Sequence, residues 1–155
     1  MGVLDHLIAP KRASRASRAA ATIPNAPLDA LLAAQFATLG LAPGEVPANG
    51  PTGSSWSRAY VLGAACAALQ HRPTAPVSDR ECFATALAAF ATTYGKSDAR
   101  DILAATVAAA EAQEPEVEDG LLQGASDLAA LALGDAEAGA LAFATRNAAD
   151  ADDLI

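Results

Sequence analysis

The sequence predicts an all-α protein: a compact bundle of five or six short, alanine-rich helices with a flexible N-terminal arm. Three observations carry this. Apolar residues make up 52% of the chain but aromatics only 5%, and much of the rest is alanine. Alanine is the best intrinsic helix former, and the β-branched residues that favour strands are sparse. Helix-starting Ser, Asp and Pro and helix-ending Gly and Pro recur, and no stretch alternates apolar and polar residues as a half-buried strand does. A chain of 155 residues suffices for one domain without a disulfide or metal staple. Alanine buries little area, so the core should be thin and closely packed.

The elements follow in order. Val3, Leu4, Leu7 and Ile8 make one apolar face of a short helix that Pro10 ends. Residues 11–22 are basic and serine-bearing, with no apolar face, so mobility is expected there. The first long helix is predicted from Pro27 to Leu39, with Pro27 at its first position and Asp29 near its N-terminus. Leu28, Leu31, Leu32, Phe36 and Leu39 form its inner stripe, and Gly40 caps it. Residues 40–53 hold three prolines and four glycines, a long connection of the kind that is either functional or disordered.

A second helix is predicted from Ser54 or Ser55 to Arg72, carrying Trp56, Tyr60, Val61, Leu62 and Leu69. Its small residues Gly63, Ala64, Ala67 and Ala68 let another helix approach closely, within the chain or in a dimer. The third opens on the capping box Ser78-Asp79-Arg80-Glu81, carries the stripe Phe83, Leu87, Phe90, Tyr94, and ends at Gly95. The fourth opens at Ser97 and places Ile102, Leu103 and Val107 inward; Glu114-Pro115 closes it. The next starts at Pro115 and runs through Leu121, Leu122, Leu128 and Leu131 to a break at Gly134-Asp135. A last helix is predicted from Ala136 to Asn147 with Leu141 and Phe143, followed by a frayed acidic end. The chain thus divides into an amphipathic, basic arm (1–22), a helical bundle in up-and-down order (23–148) and an acidic tail (149–155).

Charge is unevenly placed. The net charge is −8, but residues 1–18 set Lys11, Arg12, Arg15 and Arg18 against Asp5, a net of +3. Residues 114–155 set ten acids against Arg146, a net of −9. An acidic whole argues against a general nucleic-acid binder. The bias to Ala, and to Arg over Lys, points to a GC-rich bacterial or phage genome. No signal peptide is expected, because the apolar start is short and its charges follow it. No charge-free apolar run reaches the ~18–20 residues of a membrane span. A cytoplasmic protein is expected.

No motif for catalysis, metal or cofactor stands out, and no cofactor is expected. Cys66 and Cys82 lie eight residues either side of the turn near residue 74, level in an antiparallel hairpin. They are either a redox pair or two small buried hydrophobes, and a reducing compartment favours the second. Cys66, His71 and Cys82 lack zinc-ligand spacing, and no phosphate-binding glycine loop is present. The acids around Pro115 suit a helix N-terminus. An enzyme would have to join Tyr60, His71, Asp79, Glu81 or Tyr94 in one pocket.

The arm is the main unexplained feature. Leu4, Leu7 and Ile8 are candidate protein-binding anchors, with Lys11, Arg12, Arg15 and Arg18 as electrostatic contacts. The same residues 1–18 suit an anionic membrane surface or an ordinary tail. The leading expectation is a non-enzymatic protein-interaction or adaptor module, or a small subunit of a larger assembly, meeting another protein through the arm and the Pro/Gly loop. The alternatives are an acidic regulator or inhibitor seated in a basic cleft and an enzyme with an unrecognised site. A homo-oligomer is compatible with the small-residue faces.

Overall fold

The computed structural model describes residues 26–70, 78–134 and 141–153, the last five of these by backbone only. Six α-helices and one short 3₁₀ turn occur among them, with no strand. They are α1 (Ala26–Leu39), the 3₁₀ turn Pro51–Gly53, α2 (Ser55–Gln70), α3 (Asp79–Tyr94), α4 (Ala99–Glu111), α5 (Pro115–Ala132) and α6 (Ala142–Asp153).

The local signals act as their chemistry requires. Leu28, Leu31, Leu32 and Phe36 of α1 are buried, while Ala33, Ala34, Ala37 and Thr38 face out. Ser54 accepts the Ser57 N–H at the start of α2, and Ser78 accepts the Glu81 N–H at the start of α3, so each satisfies a first-turn donor. Gly95 ends α3 at φ 96°, a backbone angle that side chains oppose. Pro115 opens α5 at a position whose missing N–H matters little.

The bundle is built around α2. Every residue from Trp56 to Leu69 is buried except Arg58, as befits a helix that is apolar all round. Its closest neighbour is α5. Gly63 lies against the backbone of Leu121, Gly120 against the Trp56 carbonyl and the Ala59 methyl, and Gly124 against the Tyr60 carbonyl and the Ala64 nitrogen. A Cβ at any of the three would overlap backbone. The small-residue face of α2 therefore serves an internal contact. It removes voids that a core this poor in large side chains could not otherwise fill.

The order of contacts sets the topology. Trp56 meets Gly120 and Tyr60 meets Gly124, so α2 and α5 run parallel. An up-and-down order would have set them antiparallel. The reason lies in α4. It follows α3, whose Tyr94 hydroxyl donates to Thr52 O just before α2, and its own Ala110 packs with Ala59 and Val117. Both ends of α4 thus lie toward the beginning of α2, and α5 sets out from that same end.

The 40–53 connection is ordered and works as a strap. The N–H groups of Gly44 and Val46 donate to the carbonyls of Thr92 and Thr93 in the last turn of α3, and Val46 is buried. Thr52 Oγ1 donates to Pro47 O at 2.7 Å, and Arg58 Nη2 to Ala48 O at 2.9 Å. The last helix also departs from expectation. Positions 136–140 of the expected helix lie outside the described residues; Leu141 is not helical, the described helix starts at Ala142, where two other helices supply its caps, and it continues past Asn147 to Asp153. The helix propensity of Ala148, Ala149 and Ala151 outweighs the unfavourable placing of aspartates at a helix C-terminus.

Substituting Gly124→Ala should force α2 and α5 apart and destabilise the fold by about 1–3 kcal/mol, as overpacking does. Chemical denaturation measures this. Ser126→Ala, two residues on and exposed, should stay within about 0.5 kcal/mol of wild type.

Candidate functional site

Leu4, Leu7, Ile8, Lys11, Arg12, Arg15, Arg18 and His71 lie outside the described residues. The remaining residues of the enzyme reading are not brought together. Asp79 and Glu81 sit in the first turn of α3 and Tyr94 in its last, about 20 Å apart at 1.5 Å per residue. Tyr60 points to the opposite partner, α5.

Tyr60 is the centre of a buried polar knot. Its hydroxyl donates to Asp127 Oδ2 at 2.7 Å and accepts from Gln35 Nε2 at 2.9 Å. Asp127 also accepts from Gln123 Nε2 at 3.0 Å and from the Ala142 N–H at 3.1 Å. Gln35 Oε1 accepts the Ala144 N–H at 2.9 Å. The orphan donors at the start of α6 are thereby capped from α5 and α1 rather than from the helix's own sequence. Asn147, one turn after Phe143, donates to Ser57 Oγ at 3.1 Å and to Phe143 O at 2.9 Å, tying α6 to α2. Gln35, Ser57, Asp127 and Asn147 are all at most 3% exposed. Burial first, then the hydrogen bond to Asp127 and that group's charge, hold the Tyr60 phenol far above the usual tyrosine range. Burial raises Tyr94 too, and nearby Arg58 offsets only part of it. Two phenols held protonated and bonded internally suit structure, not nucleophilic or base chemistry.

Sequence reasoning passed over Gln35, Asp127 and Asn147. Their positions carried a signal. Gln35 stands in the stripe Leu28, Leu31, Leu32, Phe36. Asp127 follows Gly120 and Gly124 on the inner face of α5. A polar side chain on an apolar stripe must find a buried partner.

Cys66 and Cys82 are both buried and form no disulfide. They are close enough to feel one another: burial first, and then Cys82, push the Cys66 thiol up to about 12. Among the described residues, no group of three or more His, Cys, Asp or Glu could hold a metal ion. No described helix is long and apolar enough to cross a membrane.

The outer face of α5 is different. Leu122 is 72% exposed, and Leu133, just past the helix end, is 77% exposed. At 3.6 residues per turn the series Leu122, Ser126, Ala129, Leu133 forms one stripe. Glu114, Glu116, Glu118 and Asp119 are exposed at its N-terminal end. Asp119 also accepts the Trp56 indole N–H at 2.7 Å, and Arg146 lies over that ring at 4.5 Å. Leu122, counted with the apolar residues of its helix, faces out because Gly120 and Gly124 take the contact with α2.

Compared with models of known protein families, with curated proteins and with solved structures, the chain gives no match.

Asp127→Ala should destabilise the protein by about 2–4 kcal/mol, because it leaves the Tyr60 hydroxyl and the Ala142 N–H without an acceptor. Hydrogen exchange should show α6 amides losing protection first, with α3 and α4 less affected. The two tyrosines give a second check. Unfolded, they titrate near pH 10; folded, both keep their protons beyond it. Their contribution to stability is complete below about pH 10 and is lost as the pH rises past it. Phenolate absorbance should therefore appear only as the helical circular dichroism signal falls. Titration near pH 10 with the helices intact would contradict their burial.

Proposed function

We propose that this chain is a non-enzymatic protein-interaction module, an adaptor or small subunit of a larger assembly, that binds another protein. The observation that carries the reading is the contrast between the two faces of α5. Its inner face and the polar knot beside it are fully engaged in holding helices together. Its outer face leaves Leu122 and Leu133 in solvent on one stripe, and exposed leucines in line suit a binding surface. The N-terminal arm and the outward edge of the 40–53 strap, where Pro43, Glu45, Pro47 and Asn49 are exposed, are further contact elements. A cytoplasmic setting accords with Cys66 and Cys82 standing as thiols not joined in a disulfide.

A second reading, an acidic regulator seated in a basic cleft, draws on Glu114, Glu116 and Glu118, exposed at the N-terminal end of the same helix. Salt separates the two. Apolar docking through the leucines persists as ionic strength rises, and an acidic mimic releases its target.

The test starts from the protein retained in stoichiometric amount by the tagged full-length chain, purified and titrated against variants. Leu122→Asp combined with Leu133→Asp should weaken binding by at least about 30-fold, the effect of losing interface hot spots. The thermal melting point should not fall, since both side chains are exposed. Equal binding by the double variant would remove this face from the proposal.

A further inference from the structure

We infer that Asn49 is a site of slow, uncatalysed covalent modification. Its side-chain amide closes on the Gly50 nitrogen, and the isoaspartate that results lengthens and loosens the turn joining the 40–53 strap to α2. Neither the reaction nor its effect needs a partner.

An asparagine side chain is the right length to reach the nitrogen of the next residue. A side chain on that residue, or hydrogen bonds that hold either group, ordinarily prevents the attack. Here neither is present. Asn49 and Gly50 are both exposed, and among the described residues no hydrogen bond holds the Asn49 side chain or the Gly50 N–H. Gly50 stands at φ 79° and ψ −159°, a conformation that side chains oppose. A Cβ built on it would meet nothing within 4 Å. The turn thus requires a glycine and leaves open space beside it. Asn147 is the contrast: it is 2% exposed, donates to Ser57 Oγ and Phe143 O, and precedes an alanine. Asn25 also precedes an alanine and lies outside the described residues.

The reaction consumes one water and releases one ammonia. The Gly50 nitrogen gives up its proton and bonds to Asn49 Cγ. The Cγ–Nδ2 bond breaks, ammonia carries the proton away, and a succinimide ring remains. Water then opens the ring. Opening at Cγ leaves aspartate; opening at the main-chain carbonyl leaves isoaspartate, whose backbone runs through Cβ and Cγ and so gains one carbon. Either product replaces a neutral amide with a carboxylate and takes the net charge from −8 to −9.

The added carbon has consequences because the chain is tied on both sides of it. Thr52 Oγ1 donates to Pro47 O at 2.7 Å, and Arg58 Nη2 to Ala48 O at 2.9 Å. The Gly53 N–H donates to Gly50 O at 3.1 Å, and the Tyr94 hydroxyl to Thr52 O at 2.6 Å. Gly53 lies so close to the Ala48 backbone that a Cβ would overlap it. A turn closed this tightly at both ends cannot take up a longer backbone without breaking some of these bonds. They join the end of α3 to the start of α2, so the local opening that governs amide exchange becomes easier there.

The test holds the full-length folded protein at mildly alkaline pH and samples it over time. Isoelectric focusing should show one new band, more acidic by a single charge, that grows with incubation. Fragmentation of the tryptic peptide ending at Arg58 should place the change at Asn49, and an isoaspartyl methyltransferase should methylate the product. Asn147 should keep its amide. The Asn49→Gln variant, whose longer side chain would have to close a larger ring, should give no such band. In the isoaspartyl fraction, separated by anion exchange, the Gly53 and Ser54 amides should lose protection from hydrogen exchange while those of α5 keep it. Asn49→Asp carries the charge without the extra carbon and should exchange as wild type does. Conversion of Asn25 or Asn147 ahead of Asn49 would overturn the inference, as would conversion of Asn49 only in denaturant that melts the helices. An isoaspartyl fraction with wild-type exchange, or an Asn49→Asp variant that exchanges as fast as that fraction, would overturn the loosening of the turn.

Discussion

Helices α2 and α5 meet backbone to backbone, and Gly63, Gly120 and Gly124 are the residues that let them. With three Cβ atoms added, the axes would separate and the alanines of α2 would lose their neighbours. Alanine offers few atoms for dispersion contact, so an alanine-rich core holds together only where backbones themselves become the packing surface. The pairing has a cost in intrinsic helicity, since glycine in a helix interior is unfavourable by roughly 1 kcal/mol relative to alanine. The burial of α2 on every side offsets it. The other helices then complete the shell around α2, and the aromatic side chains Phe36, Tyr60 and Phe143 fill the space between α1, α2 and α6.

Where that shell closes, polar groups take over from packing. The knot of Gln35, Tyr60 and Asp127 is satisfied by donors and acceptors from four helices. Such a knot adds less to net stability than to specificity, because a misplaced helix would strand its members in an apolar interior. The start of α6 illustrates this. Asp127 and Gln35, not its own sequence, supply acceptors for the N–H groups of Ala142 and Ala144.

The fold class and four of the six helix starts were legible in the sequence, because Pro27, Ser54, Ser78 and Pro115 act through near neighbours. The inner stripe of α1 was legible for the same reason, as 3.6-residue periodicity is local. The parallel pairing of α2 and α5 was not, although Gly63 with Ala67 drew notice as a small-residue face. Its other half, Gly120 and Gly124 four residues apart, has meaning only once the partner helix is known. The helix beginning at Ala142 was not legible because its caps come from residues 15 and 109 positions away. Composition marks 40–53 as a long connection, either functional or disordered, and cannot show that Thr92 and Thr93 offer it carbonyls. The candidate docking face escaped notice since Leu122 looks like core until Gly120 and Gly124 reveal which side of α5 is inside.

The central position of α2 also bears on how the protein is made. Its apolar surface emerges from the ribosome some sixty residues before Gly124 and Asp127 can cover it. At roughly 5–20 residues per second that interval lasts several seconds. During it the most completely buried helix of the bundle has first α1 and the strap, then α3 and α4, for shelter. Holding chaperones, or slow codons placed after α5 rather than before it, would therefore influence the yield of folded protein.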